Sequence, residues 1–277
     1  MITDLNGKTA VITGAASGIG RGLAVRCAEE GMRVVASDVE RGALDETVAL
    51  AGGDAIGVVA DVSDAASVDA LADAAFDAFG EVHLLCNNAG VFQAGILWER
   101  TLADWEWVLG VNVWGIIHGI RSFLPRMIAQ GGEGHVVNTS SLAGIVTGAY
   151  SGPYVTSKFA ALGLTESLAH DLAAAGSSIG ASVLVPGAVN TRINESGRNR
   201  PEALADGMGA EDHAFVEDSL TKVASSGREP SEIADLVLDA VRTGRFVIPT
   251  SAGYDAQVRG RAEAMLERLL PTGLAFN

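Results

Sequence analysis

The sequence predicts an α/β fold built on a doubly wound, seven-stranded parallel sheet with helices on both faces. Three observations predict it. Short β-rich runs alternate with longer helical patterns, several of those runs are nearly continuous apolar stretches suited to strands covered on both faces, and a glycine cluster joins the first run to the first helical pattern. In order, strands are expected at 9–13, 33–37, 55–60, 82–86, 135–139, 182–185 and 246–248. Helical patterns occupy 18–30, 64–79, 101–129 and 154–175, and Arg41 opens a further one after the second strand. Thr101 and Asp104 have the spacing of a helix-start capping pair. Pro230 and Ser231 open another helix, in which Ile233, Leu236, Val237, Ala240 and Val241 recur at helical spacing as a core stripe. Residues 192–226 interrupt the alternation with a polar, glycine-bearing insertion, placed after a strand where a substrate lid is expected. Residues 252–270 read as an additional charged amphipathic helix.

Composition narrows the class of function. A chain of 277 residues that is 48% hydrophobic suits one large α/β domain spanning 1–277. Its formal net charge of -15 would repel a phosphate backbone, which argues against a nucleic-acid partner. Two cysteines, Cys27 and Cys86, suggest neither a disulfide framework nor a zinc cluster and fit a reducing compartment. With no leader-like start and no apolar run of membrane-spanning length, a cytoplasmic protein without a membrane partner is expected. The sequons at Asn138 and Asn194 then read as accidental. His83, His118, His135, His170 and His213 show neither the spacing of a zinc site nor a hydrolase triad, and no metal is expected.

The segment Thr13-Gly14-Ala15-Ala16-Ser17-Gly18-Ile19-Gly20 follows the first strand directly and opens the first helix. Gly14 permits a tight turn, while Gly18 and Gly20 permit close approach of backbone to pyrophosphate at a helix N-terminus. Asp38, about twenty residues on, closes the second strand, where a carboxylate would accept from both ribose hydroxyls and repel a 2'-phosphate. NAD is therefore favoured over NADP. An ordinary surface aspartate is the structural alternative, and neither Arg33 nor Arg41 obviously replaces Asp38 as the reader of the ribose.

Tyr154 and Lys158 lie four apart and share one helix face. An ammonium beside a phenol favours the phenolate, so Tyr154 is expected to exchange a proton near neutrality. That spacing arises often by chance, and its weight comes from company. Ser141 ends Asn138-Thr139-Ser140-Ser141 at the carboxyl edge of the fifth strand, Asn87-Asn88-Ala89-Gly90 follows the fourth, and Asn112 and Pro186-Gly187 complete the set.

Together these motifs resemble the short-chain dehydrogenase/reductase family, in matching order over roughly residues 5 to 250. The resemblance implies a Rossmann-type fold with Ser141 bonding the substrate oxygen, Tyr154 as acid or base, Lys158 as its activator and ribose ligand, and Asn112 holding a relay water. It further implies that Ser17, Gly18, Ile19 and Gly20 form the pyrophosphate turn. Asp61 and Val62 would flank the adenine, Asn88 and Gly90 approach a ribose, and Pro186, Gly187, Val189 and Thr191 embrace the nicotinamide. Each of these peripheral residues also has a routine structural reading, Asp61 as a turn residue and Pro186 as a turn former among them.

The expected activity is hydride transfer between nicotinamide C4 and a secondary alcohol or ketone. Phe92, Gln93, Leu142, Ala143, Gly148, Tyr150, Ile193, Met208, Phe215 and Leu220 would surround the substrate. Their apolar character favours a hydrophobic or alicyclic, steroid- or terpenoid-like molecule, although the same side chains would equally pack a lid. The family's usual pairing implies a homo-oligomer, a tetramer or dimer, through 101–129 and 154–175, and the extra C-terminal helix puts the usual second interface in question. An NADPH-dependent carbonyl reductase and a non-enzymatic NAD-binding regulator are the alternatives.

Overall fold

Seven parallel strands in the order β3-β2-β1-β4-β5-β6-β7 form the centre of a computed structural model that describes residues 1–205 and 226–273. The elements run β1 (Thr9–Thr13), α1 (Gly18–Glu29), β2 (Arg33–Asp38), α2 (Arg41–Ala51), β3 (Ala55–Val59), α3 (Ala65–Phe79) and β4 (Leu84–Asn87). They continue α4 (Leu102–Leu109), α5 (Gly115–Gln130), β5 (Gly134–Thr139), α6 (Gly152–Ala174), β6 (Ile179–Val185), α7 (Pro230–Thr243), β7 (Val247–Pro249) and α8 (Tyr254–Leu266). The order reverses between β1 and β4, so the loops leaving their carboxyl ends diverge and open a crevice there.

The period-2 geometry of strands explains the two cores. Ile12 and Leu84 face one side with Leu23 and Cys27 of α1 and Ile233, Val237 and Val241 of α7. Their neighbours Val11 and Leu85 face the other, against Leu71 of α3, Phe123 and Met127 of α5 and Leu172 of α6. Side chains on both faces must therefore be apolar, which is why the strands carry continuous apolar runs. Cys27 and Cys86 are buried free thiols in this core. Asn138 is fully buried in β5, its amide bonded to Asn87 and Thr165, where the fold has no room for a glycan.

Three differences from the expected elements have physical causes. The single helix expected over 101–129 is divided: α4 starts at a capping box made by Thr101 and Asp104, then a π-helical turn over Gly110–Trp114 separates it from α5. The Asn112 amide in that turn bonds away from the helix, to the Val91 backbone and Ser157. The flanking Gly115 packs where a Cβ would come within 2.8 Å of Val62 Cγ2. The C-terminal helix stops at Leu266 and buries no residue completely; Tyr254 and Val258 pack beside Ile145 and Val146. Within the expected insertion, Ile193–Asn199 and Glu202–Leu204 are short 3-10 turns, whereas Met208, Phe215 and Leu220 lie outside the described residues.

Candidate active site

The crevice holds a cavity of about 410 Å³ walled by the glycine turn, the ends of β2, β3, β4, β5 and β6, and the first turns of α6. Its geometry begins with Gly14, whose φ of 68° lies in the left-handed region and whose absent Cβ would sit 2.7 Å from Ala89 Cα. Gly18, at φ 52°, admits the Thr191 side chain in the same manner. Ser17 caps α1 with no side-chain bond to the helix, so its hydroxyl takes none of the first-turn N–H groups, and Ser17, Gly18 and Ile19 line the crevice. Gly20 is buried behind the turn against the Gly14 carbonyl and does not reach the cavity; Ile19 does.

Asp38 stands at the β2 end with both carboxylate oxygens anchored, Oδ2 accepting from Ala16 N–H at 2.9 Å and Oδ1 from Glu40 N–H at 3.1 Å. This grip orients the carboxylate while leaving lone pairs for two hydroxyls. Asp61 and Val62 wall the same end, Asp61 also accepting from Ser63 N–H and Oγ as the turn reading expects. Asn88 bonds the Thr13 carbonyl through Nδ2 at 3.0 Å, tying β4 to β1, and Gly90 leaves room where a Cβ would lie 3.3 Å from Lys158 Nζ. Pro186, Gly187, Val189 and Thr191 form the opposite wall, with Gly187 N–H donating to Thr250 Oγ1 at 2.9 Å.

At the chemical end, Tyr154 and Lys158 project from one face of α6, with the ammonium 5.5 Å from the centre of the phenol ring. Lys158 is buried and donates to the Thr139 carbonyl at 3.1 Å; burial pulls its amine down to about 8. Tyr154 is partly open to the cavity and meets Phe92 edge-on at 5.0 Å. Its phenol is not depressed in this state, contrary to the expectation from charge alone. Burial raises it, and the hydrogen bond with Ser141 lowers it only in part. Ser141 Oγ accepts from Ala143 N–H at 3.1 Å and donates to the Pro186 carbonyl at 3.5 Å, so its oxygen is held at the mouth of β5.

Asn112 is set one layer behind. Its Oδ1 accepts from Val91 N–H at 2.8 Å, and its Nδ2 donates to the Val91 carbonyl at 3.0 Å and Ser157 Oγ at 2.9 Å. The fully buried side chain is thus committed to binding the β4 loop to α6. Of the residues expected around substrate, Phe92, Leu142, Ala143 and Ile193 line the cavity, whereas Gln93, Gly148 and Tyr150 do not. Gln93 is turned into the protein, accepting from Arg200 Nη1 at 3.3 Å. The structure adds Trp107, Val111, Ser196 and Pro201 to the apolar end and Glu40, Arg198 and Asn199 to the Asp38 end. Helical periodicity marks Trp107 and Val111 only as core; Trp107 lies in the last turn of α4 and Val111 in the π turn. Among the described residues no group of three or more His, Cys, Asp or Glu side chains gathers as a metal site. No described helix is long and apolar enough to cross a membrane.

The family model for short chain dehydrogenase matches residues 8–202. A 1-deoxy-11-beta-hydroxypentalenate dehydrogenase of Streptomyces avermitilis is 38% identical over 261 residues, covering 92% of this chain and 88% of the relative. A CLA biosynthesis dehydrogenase/reductase of Lactiplantibacillus plantarum is 32% identical over 273 residues, 95% and 94% of the two chains. Among solved structures, a short chain dehydrogenase/reductase from Burkholderia phymatum in complex with NAD superposes with a TM-score of 0.95 at 44% identity, over 98% of this chain and 99% of that one.

Proposed function

Because the chain belongs to the short-chain dehydrogenase/reductase family of oxidoreductases, we propose that it uses NAD to interconvert a secondary alcohol and its ketone on a hydrophobic or alicyclic substrate. The observation that carries this reading is the convergence of Ser141, Tyr154 and Lys158 on one cavity whose other end is the Asp38 carboxylate.

The residues present fit a dinucleotide. Gly14 and Gly18 leave a cradle that a Cβ would fill, the first turn of α1 lines it, and Asp38 is held ready for hydroxyl donors. Ser17, Gly18 and Ile19 would hold the pyrophosphate, with Gly20 keeping the helix close to the turn; Asp38 would hold the adenosine ribose. Asp61 and Val62 would hold the adenine, Asn88, Gly90 and Lys158 the second ribose, and Pro186, Gly187, Val189 and Thr191 the nicotinamide end. Bound there, NAD supplies a hydride acceptor at C4.

In alcohol oxidation Ser141 Oγ orients the substrate oxygen, and Tyr154 Oη, in its phenolate form, takes the hydroxyl proton. The positive charge of Lys158 opposes the burial that keeps the phenol protonated. Asn112 holds the loop and the helix that carry Tyr154 in register through its amide; the relay water falls to the backbone of the π turn, where the regular bonding pattern is interrupted. In ketone reduction Tyr154 returns the proton. Phe92, Trp107, Val111, Leu142 and Ile193 supply an apolar wall for the rest of the substrate, consistent with the 1-deoxy-11-beta-hydroxypentalenate named for the Streptomyces relative.

The same reading has one domain across 1–277, a lid in 192–226, and cytoplasmic operation with the two thiols reduced. Homo-oligomerisation, as a tetramer, would cover the exposed Trp114 and Ile128 of the segment running into α5. The deciding experiment is an initial-rate screen of alicyclic, steroidal, aliphatic and sugar alcohols with NAD and NADP. Turnover of alicyclic alcohols with NAD supports the reading; activity confined to sugar alcohols, or to NADP, defeats it.

A further inference from the structure

The segment Ile193–Asn199 leaves the Thr191 end of the cavity and crosses to its opposite rim. Midway, Ser196 Oγ accepts from Phe92 N–H at 2.9 Å and donates to the Phe92 carbonyl at 3.1 Å. Beyond it the chain meets the β2–α2 connection. Arg198 Nε and Nη2 donate to Glu40 Oε1 at 3.0 and 2.6 Å, and Asn199 Nδ2 donates to the same oxygen at 2.8 Å. The remaining guanidinium nitrogen, Arg198 Nη1, is taken by the Arg192 and Glu195 carbonyls at 3.2 and 2.9 Å. Glu40 follows Asp38 by two residues, and its N–H is one of the two donors that hold the Asp38 carboxylate. Asp38, Glu40 and Arg198 therefore wall the same end of the same cavity.

A 2'-phosphate arriving there would be a compact anion seeking two parallel N–H donors, the recognition for which a guanidinium is best shaped. Arg198 has those donors, and Glu40 occupies them. We infer that Glu40 is a specificity-determining residue: it withholds Arg198 from a 2'-phosphate, so that NAD is selected over NADP by two carboxylates acting differently. Asp38 binds the ribose hydroxyls and repels the phosphate. Glu40 neutralises the cation that would otherwise attract it. The inference rests on the NAD reading of Asp38 and extends it to a residue 158 positions from its partner in the chain.

The test is calorimetric titration of purified protein with NADH and NADPH, which needs no substrate. Glu40→Gln is expected to raise the NADPH-to-NADH affinity ratio about tenfold, equivalent to about 1.4 kcal/mol. Adding Arg198→Ala is expected to return the ratio to the wild-type value. Thermal melts of each variant establish that it is folded. Asp38→Asn is the separate arm: wild-type protein that already binds NADPH as tightly as NADH, or an Asp38→Asn variant with an unchanged ratio, overturns the reading of Asp38. If Asp38→Asn responds while Glu40→Gln does not, or if the Glu40→Gln gain survives the loss of Arg198, the inference about Glu40 is overturned alone.

Discussion

The acid-base residue is one whose surroundings oppose its ionisation. Burial raises the Tyr154 phenol and lowers the Lys158 amine to about 8, so the pair costs more to charge than the same groups in water. Tyr154→Phe is expected to lower kcat by roughly 10²- to 10⁴-fold with NADH affinity unchanged, measured by steady-state rates and calorimetry. Because the phenol is raised above its ordinary value, its scarce base form grows with pH while its acid form hardly changes, so alcohol oxidation should accelerate from pH 6 to 7.5, where Lys158 keeps most of its charge, and ketone reduction should stay nearly level; a flat oxidative profile there would remove Tyr154 as the base. Asn112 shows what single residues do not disclose. Motif order singles it out, but its three buried bonds to Val91 and Ser157, which join positions 21 and 45 residues away, could not be read from the sequence. Asn112→Ala should therefore destabilise the fold by about 3 kcal/mol, read from urea midpoints, besides lowering turnover. The direction of the Tyr154 shift was misread from sequence for a related reason: spacing reveals the neighbouring charge, whereas desolvation depends on everything packed around the ring.

Among the elements, those governed by short-range rules were legible. The seven strands fall within a few residues of their expected limits because short continuous apolar runs are written locally, and the glycine turn was legible because strand, turn and helix adjoin in sequence. Gly20 tests that turn: a methyl group there would overlap the Gly14 carbonyl, and neither backbone can retreat without opening the turn. Gly20→Ala is expected to weaken NADH binding at least tenfold and to lower stability by about 2 kcal/mol, checked by calorimetry and thermal melting. The π turn and the crossing segment at 193–199 were not legible. Helical periodicity continues through Gly110–Trp114, and the bonds that close the segment over the cavity join Arg198 to Glu40 and Ser196 to Phe92, residues distant in sequence. The buried Arg200–Asp104 pair, at 2.6 Å, likewise draws residue 200 to α4 across 96 positions.

For the molecule as a whole, acid is the expected weak point. His135 is fully buried in β5, bonded to Ser182, and burial holds its imidazole at about 4 against 6.5 when free. The unfolded chain accepts a proton between those values that the fold refuses, so stability is complete above pH 6.5 and falls toward pH 4 by about 1.4 kcal/mol per unit. His83, lowered chiefly by burial, acts in the same direction. His135→Gln should flatten the slope of unfolding free energy between pH 6.5 and 5.5; an unaltered slope would show that this imidazole is not the titrating group. The turn at Gly110–Trp114 matters at this scale too, as a phase shift. One residue more than a regular helix requires rotates everything beyond it by about 100°, so α4 can present Trp107 to one wall while α5 presents Phe123 and Met127 to the sheet. Deleting a single residue there would yield a more ideal helix and a worse protein, since local regularity would be regained only by swinging one of those two faces into water.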